Sequence, residues 1–203
     1  MNKSDFDLNH QNQSTESKIV ASLERISQAF RVLLWRESKE FSLSPIQVQV
    51  LIFLLHHSEE KRKVSYLADE FNMTKATISD TIKVLEKKKL ITKEPEPYDS
   101  RSFVIHLTPV GTETAKENAL FTKEIRTPIN TLSADDKENL LLNLLNIISY
   151  LNRTGVITLQ RMCMTCKYYQ SAEKGEQHYC HLLNRKLHNS ELRIDCPEHE
   201  LRA

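Results

Sequence analysis

Four cysteines near the end of the chain are the residues whose type and spacing most directly suggest chemistry. Cys163 and Cys166 form a Cys-x-x-Cys pair, Cys180 follows after 13 residues, and Cys196 follows after 15 more and precedes a proline. A segment of this length is too short to build an apolar core of its own and usually needs a metal or another staple to fold. The spacing therefore predicts one metal centre that is bound by the four thiolates.

Two kinds of metal centre and one metal-free alternative fit the cysteine pattern. Zinc is the first choice, because four thiolates close its coordination and no redox partner is needed. An iron–sulfur cluster is the second choice, since the last two cysteines do not form a Cys-x-x-Cys pair and Cys-Pro recurs at cluster ligands. In the third alternative the thiols are unliganded or reversibly oxidised. His178, His181 and His199 flank the cysteines, and each could replace one thiolate as a ligand.

The overall composition describes a globular chain and excludes few functions. Of 203 residues, 39% are hydrophobic and 27% are charged, and the formal net charge is only +1, so any basic surface must be local. The first residues lack the apolar stretch of a secretory signal, and no apolar run is long enough to span a membrane. These features predict a cytoplasmic protein with no membrane partner. With only three glycines, the chain is expected to be mainly helical.

The polar and apolar pattern divides the chain into three parts. Residues 1–17 are polar and are predicted to form a flexible tail. Residues 18–155 show helical periodicity interrupted by two short β-branched runs, and residues 156–203 form the four-cysteine module. We therefore expect one main domain with a small C-terminal segment.

Capping and periodicity signals place the helices of the main domain. An amphipathic helix is expected from Ile19 to about Phe41, and a second begins at Ser44, where Pro45 and Gln47 complete a capping box. A leucine-rich helix opens after Ser133 and is apolar on more than one face. Such a helix needs more than one partner, which predicts a subunit interface.

The centre of the chain contains a short helix, a capped helix and a β-hairpin. Thr74 caps a helix whose apolar residues share one face, while its polar residues form the opposite face and flanks. The runs 90–93 and 103–107 are expected to pair as a hairpin with a long polar tip. This order of elements predicts a winged helix-turn-helix, in which the capped helix enters the major groove of DNA and the hairpin is the wing.

A local excess of positive charge supports that interpretation. Between Thr74 and Lys93 there are six lysines and only two acidic residues. Lysines in such a helix neutralise phosphates, and the short polar side chains of Thr77 and Ser79 can approach base edges or phosphates closely. Taken alone, the lysines at 87–89 are equally well explained as a solvated helix end.

Six short segments of the main domain follow a recurring family pattern: Leu67-Ala68, Met73-Thr74-Lys75-Ala76-Thr77-Ile78-Ser79, Leu85-Glu86-Lys87-Lys88, Leu90-Ile91, Tyr98-Asp99-Ser100-Arg101-Ser102 and Leu107-Thr108-Pro109-Val110-Gly111. Over about residues 18–155 the chain thereby resembles the MarR family of bacterial regulators. The resemblance implies an obligate dimer joined by the first and last helices of the domain. It also implies a recognition helix at 74–88, a wing in which Asp99 braces Arg101 for DNA contact, and release by a small molecule or by oxidation. A plain turn salt bridge is the alternative for that pair.

The chain departs from the family pattern at two positions. Lys89 stands where the family usually has glycine, so this residue must either adopt left-handed geometry or end the helix differently. Lys93 stands where an arginine is common, which exchanges a bidentate phosphate contact for a point charge.

We predict a homodimeric, sequence-specific transcription regulator, with repression as the expected action, that binds a near-palindromic site in double-stranded DNA. The fold class is mainly α, a winged helix-turn-helix with N- and C-terminal dimerisation helices and a small Cys-rich metal-binding segment. The predicted DNA contacts are Thr74, Lys75, Ala76, Thr77, Ser79, Asp80, Lys83, Lys93, Asp99 and Arg101. A small molecule or the redox or metal state of the cysteines is the expected effector. The alternative is a purely structural zinc, which stabilises the segment without sensing.

Two other functions remain open at this point. A thiol oxidoreductase could use Cys163 and Cys166, but that motif is usually found in a βαβ setting and here it follows a long helix. A protein-interaction adaptor could use a winged helix that no longer binds DNA, although the lysine excess argues against it. No other spacing nominates a nucleophile with its base or a pair of catalytic carboxylates. The chain is therefore not expected to be an enzyme.

Overall fold

The computed structural model describes residues 3–96, 99–172 and 177–202, and for residues 99–101 it describes the backbone alone. The helices are α1 (Leu8–Gln13), α2 (Thr15–Glu40), α3 (Pro45–His56), α4 (Val64–Glu70), α5 (Lys75–Lys87), α6 (Pro109–Asn118), α7 (Lys123–Asn130) and α8 (Ala134–Arg153). The strands are β1 (Ile91–Glu96), β2 (Asp99–Leu107), β3 (Tyr169–Gln170), β4 (His178–Cys180) and β5 (Arg185–Leu187). Across these described residues, no helix is both long and apolar enough to cross a membrane.

Side-chain caps fix the start of the central helices. Ser44 accepts a hydrogen bond from the Gln47 N–H, and the Gln47 side chain accepts one from the Ser44 N–H, which completes the predicted capping box of α3. Thr74 accepts a hydrogen bond from the Thr77 N–H at 3.1 Å and caps α5. Ser133 caps α8 in the same way. These local signals explain why the helix starts could be read from the sequence.

The main core lies between α3, α4, α5 and the base of the hairpin. Its largest fully buried side chains include Leu51 and Leu54 of α3, Leu67 of α4, and Ile78 and Leu85 of α5. Because the apolar face of α5 is buried in this core, its polar face points away from the domain. The order of helices followed by an antiparallel hairpin confirms the predicted mainly α winged helix-turn-helix.

A short, hydrogen-bonded turn connects α5 to the wing. Lys89 has a φ of +60°, the left-handed geometry that glycine adopts without cost, and the Leu90 N–H donates to the Leu85 carbonyl at 3.0 Å. The first of the two expected outcomes for Lys89 is therefore the observed one. Thr108, at the end of β2, donates its hydroxyl to the Lys89 carbonyl and its N–H to the Leu90 carbonyl. The base of the wing is thus fastened to the end of α5.

The N-terminal segment contains more regular structure than the predicted flexible tail. Residues 8–13 form α1, in which Asp7 accepts the Asn9 N–H, and the Ser17 hydroxyl donates to the Asp5 carboxylate at 2.7 Å. Short polar side chains are common in disordered segments, so the composition of this segment predicted a flexible tail. The same side chains can also cap a helix and satisfy its first backbone N–H groups.

The C-terminal segment folds against α8. Strands β3, β4 and β5 form a small antiparallel sheet in that order. Met162, Leu187 and Leu192 are buried in a second apolar cluster with Leu145 of α8. The segment therefore completes its core with a helix of the main domain, which a segment of this size needs.

Candidate functional site

The polar face of α5 is exposed and holds most of the predicted site residues. Thr74, Lys75, Ala76, Thr77, Asp80 and Lys83 are exposed, and Ser79 is half-buried. The hydroxyls of Thr74 and Thr77 lie 2.8 Å apart, so the cap leaves both at the accessible N-terminal end of the helix. The structure therefore brings seven predicted residues onto one surface, which we call the α5 face.

Two of the lysines are paired with acidic residues. Lys83 Nζ lies 2.9 Å from Asp80 Oδ1, one turn earlier, and both side chains are well exposed. An exposed pair of this kind contributes at most about 1 kcal/mol, so a phosphate can replace the carboxylate at little cost. Lys93 Nζ lies 2.6 Å from Glu86 Oε2 and 5.0 Å from the ring centroid of Phe103. The charge of Lys93 thus joins α5 to the hairpin and is not on the α5 face.

The wing is held by contacts at its base and along β1. Lys63 forms an ion pair with Glu96 near the tip of β1, and this hydrogen bond lowers the pKa of the Glu96 carboxyl. The Ile105 N–H of β2 donates to the Arg62 carbonyl at 3.0 Å, which joins the hairpin to the loop before α4. The backbone of Asp99 and Arg101 lies in β2, but the predicted contact between their side chains lies outside the described residues.

A long apolar groove runs between α2 and α8. Its apolar lining residues are Ile19, Leu23 and Ile26 of α2 and Leu140, Leu144 and Ile147 of α8. Ile26 is 48% exposed and Ile147 is 40% exposed, which is high for large apolar side chains on regular helices. The predicted surplus of apolar surface on α8 is present, and it is continuous with apolar surface on α2.

The four cysteines line one small cavity in the C-terminal segment. All four are free, and they come from three places: the turn at Cys163 and Cys166, the end of β4 at Cys180, and the last loop at Cys196. The cavity has a volume of about 30 Å³. Its remaining walls are Tyr168, Tyr169, Leu182, Leu183, Leu187, Glu191, Arg193 and Glu198.

Hydrogen-bond donors and burial shape the environment of the thiols. The Arg193 N–H donates to Cys163 Sγ at 3.2 Å, and the Arg193 guanidinium donates to Cys196 Sγ at 3.4 Å. Burial raises the pKa of the Cys163 thiol, and burial also raises the pKa of the Tyr169 phenol to about 12. Within residues 3–96, 99–172 and 177–202, no three His, Cys, Asp or Glu side chains meet closely enough to hold a single metal ion.

The three flanking histidines lie within hydrogen-bonding distance of side chains other than the cysteines. His178 Nδ1 lies 2.7 Å from the Tyr169 hydroxyl, and His199 Nε2 lies 2.9 Å from the Thr165 hydroxyl. His181 Nε2 lies 3.1 Å from the side-chain oxygen of Gln170. None of them is among the described residues that line the cysteine cavity. Their predicted role as substitute ligands is therefore not supported by this geometry.

Comparison with known protein families gives a match for the central part of the chain. Residues 41–102, which include α3, α4, α5 and β1, match the MarR family. We call residues 41–102 the MarR domain, after the family that they match.

Several solved structures share the fold of this chain over a longer stretch than residues 41–102. The MepR–DNA complex of S. aureus is 24% identical with a TM-score of 0.57, covering 65% of this chain and 97% of that one. S. aureus MepR in its DNA-binding conformation is also 24% identical, with a TM-score of 0.58 and 66% and 98% coverage. AbsC, a MarR family transcriptional regulator from Streptomyces coelicolor, is 21% identical with a TM-score of 0.54 and 69% and 97% coverage. No curated protein shows significant similarity to the sequence.

A buried arginine joins the cysteine segment to the MarR domain. Arg161 is only 9% exposed, and its guanidinium contacts the Asp195 carboxylate at 2.6 and 2.9 Å and the Glu70 carboxylate of α4 at 2.6 Å. The same group donates to the Tyr66 hydroxyl at 2.9 Å, and His57 Nε2 lies 2.9 Å from the Asp195 carboxylate. We call these five residues the Arg161 junction.

Hydrogen bonds within the Arg161 junction keep Arg161 and Asp195 in their charged forms. Burial opposes ionisation of Asp195, but hydrogen bonds from Arg161 and His57 outweigh it and lower the pKa of that carboxyl to about 2. Burial likewise opposes the charge on Arg161, and its hydrogen bonds to Asp195 and Glu70 raise the pKa of the guanidinium. The sequence interpretation missed this junction. The only available signal was the position of Arg161 two residues before Cys163 and of Asp195 directly before Cys196.

Proposed function

We propose that this chain is a homodimeric transcription regulator that represses by binding a near-palindromic site in double-stranded DNA. The observation that carries the proposal is the capped α5, whose exposed polar face stands beside a hairpin in the same fold as MepR, which has been solved with DNA. In this arrangement the recognition helix enters the major groove and the wing contacts the neighbouring backbone.

The dimensions and charge of α5 suit a major groove. Its 13 residues span about 20 Å at 1.5 Å per residue, and its N-terminal end presents short hydroxyl and methyl groups that approach base edges closely. Lysines at both ends of the helix, Lys75 and Lys87–Lys89, are exposed and can contact phosphates on the two strands. Asp99 and Arg101 on the wing remain proposed contacts.

The groove between α2 and α8 supports the dimer. A second copy that places the same groove against this one would cover the exposed apolar residues of both helices by a twofold, self-complementary contact. Twofold symmetry then presents two α5 faces, which is why the proposed site is near-palindromic with half-sites about one helical turn apart. Binding across a promoter would give repression.

An oxidoreductase function is disfavoured by the environment of the thiols. A reactive cysteine needs a lowered pKa, whereas burial raises the pKa of Cys163, and Cys166 is buried. We therefore assign the cysteines no catalytic role.

Substitution of Lys83 by alanine tests the contact between the α5 face and DNA. We expect Lys83→Ala to weaken binding to the operator duplex by about 1–3 kcal/mol if Lys83 contacts a base, or to reduce the salt slope by about one unit if it contacts a phosphate. Fluorescence anisotropy of a labelled duplex at several salt concentrations measures both quantities.

Lys116 provides a matched control for this experiment. Lys116 on α6 forms the same kind of exposed pair, with Glu113 one turn earlier at 2.7 Å, but it is not part of the α5 face. Lys116→Ala is expected to leave affinity and salt slope unchanged. Equal behaviour of the two variants would contradict the placement of α5 in the groove.

A further inference from the structure

We propose that the four cysteines hold an iron–sulfur cluster, and that the Arg161 junction couples the presence of this cluster to the position of α4 and thereby to DNA affinity. The cluster is independent of the proposed function, whereas the coupling rests on it.

The placement of the four cysteines favours a cluster over a single zinc ion. Four thiolates bound to one zinc ion at about 2.3 Å stand only about 3.8 Å apart at the corners of a tetrahedron, with no free space among them. Here the four cysteines line one cavity of about 30 Å³ together with eight other residues, and among the described residues no three His, Cys, Asp or Glu side chains meet closely enough to hold a single ion. An iron–sulfur cluster fits this arrangement better, because iron and sulfide atoms stand between its thiolates and hold them farther apart than one zinc ion does.

The walls of the cavity match the chemistry of a cluster. Thiolates are the soft ligands that iron–sulfur clusters use, and hydrogen bonds to the sulfurs stabilise the negative charge of the bound cluster. Arg193 supplies two such donors, one from the backbone to Cys163 and one from the guanidinium to Cys196. Leu187 and Tyr169 are buried and cover one side of the cavity, while Leu182 and Leu183 on another side are exposed.

The ligand loops and the Arg161 junction share the same stretches of backbone. The Cys196 N–H donates to the Arg161 carbonyl at 2.9 Å, and the backbones of Arg161 and Asp195 pair as an isolated β-bridge. Cys163 lies two residues beyond Arg161, and its N–H donates to the Arg193 carbonyl at 3.0 Å. A cluster that binds Cys163 and Cys196 therefore also fixes the relative position of Arg161 and Asp195.

The junction then reaches the recognition helix through α4. Glu70 and Tyr66, which contact the Arg161 guanidinium, lie on α4, and α4 packs against α5 within the main core. When the cluster is lost, Asp195 is no longer held in place, and Arg161 keeps a buried charge with one carboxylate fewer. Such a loss of pairing in a buried network is costly, so α4 is expected to shift until the charge is solvated or paired again.

Metal and sulfide analysis tests the cluster. The full chain, purified without oxygen, is expected to contain iron and acid-labile sulfide with a visible absorption band, and Cys166→Ser and Cys196→Ser are each expected to lower both contents several-fold. Met164→Leu, in the same turn, serves as the control and should retain them. Zinc or copper without sulfide, or no metal with the segment still folded, would overturn the cluster.

Operator affinity with and without the cluster tests the coupling. We expect removal of the cluster by a chelator to change the affinity of the wild-type chain for its operator about 5–150-fold, while circular dichroism shows that the helices persist. In Arg161→Met that change should fall below about twofold, while iron content is retained. Arg185→Met, which removes an exposed pair with Glu191 in the same segment, should behave like wild type.

The outcomes separate the two proposals. If wild type binds its operator equally well with and without the cluster, the coupling is wrong and the DNA-binding function stands. If neither form binds any DNA, the proposed function is wrong, and metal and sulfide analysis still decides the cluster. Should Arg161→Met fail to fold, Glu70→Gln removes the charge at the α4 end of the junction, and persistence of the full affinity change in that variant would also overturn the coupling.

Discussion

Replacing Ile26 with aspartate is expected to convert the dimer into a monomer and to weaken operator binding by at least about 100-fold. Ile26 lies in the groove between α2 and α8, where the proposed second copy covers it. A carboxylate buried in that contact would be desolvated without a partner. Because two linked half-site contacts bind about 10²–10⁴ times more tightly than one, a monomer loses that advantage. Analytical ultracentrifugation at micromolar concentration and operator anisotropy measure the two effects.

Val110 gives a control for the added charge. It is 64% exposed at the start of α6, outside the groove, and an acidic residue is well tolerated in the first turn of a helix. Val110→Asp is therefore expected to remain dimeric with unchanged affinity. A monomeric wild-type chain with full operator affinity, or a dimeric Ile26→Asp, would contradict the proposed interface.

Replacing Gly111 with alanine is expected to reduce the free energy of unfolding by about 3 kcal/mol. A Cβ atom at Gly111 would lie 1.8 Å from the Leu90 carbonyl oxygen, which is backbone and cannot rotate away. That carbonyl also accepts the Thr108 N–H, so relief of the clash must move the junction between α5 and the wing. Urea denaturation followed by circular dichroism measures the loss of stability.

The neighbouring residue is the control for this substitution. Val110→Ala removes exposed apolar atoms at the adjacent position and is expected to change stability by no more than about 0.5 kcal/mol. We also expect Gly111→Ala to weaken operator binding at temperatures where it remains folded, because the wing shifts relative to α5. Equal stability of the two variants would show that α6 can move away from Leu90 without cost.

Local signals explain why much of the fold could be predicted from the sequence. The caps at Ser44, Thr74 and Ser133 act within three residues, so their effect is visible in a short window of sequence. The apolar face of α5 was equally visible, because its period is that of a helix. For Lys89 the sequence left two outcomes open, left-handed geometry or a differently ended helix, and the first is the observed one.

The parts that could not be predicted depend on residues far apart in the chain. Arg161 and Glu70 are 91 positions apart, and no periodicity or motif relates them. The packing of the cysteine segment on Leu145 of α8 is equally remote in sequence, and the sequence interpretation linked this segment to α8 only by its position in the chain. The cysteine spacing predicted a shared site, but the cavity among the thiols depends on how three loops pack together.

Selection from a random pool of DNA duplexes tests the central claim most directly. The purified chain is incubated with the pool, the bound duplexes are recovered over several rounds, and their sequences are compared with the input. If α5 reads DNA as one half of a dimer, an inverted repeat with half-sites about one helical turn apart will be enriched, and Lys83→Ala will recover it less efficiently. Recovery of duplexes with no sequence in common beyond that of the input pool would contradict a sequence-specific regulator.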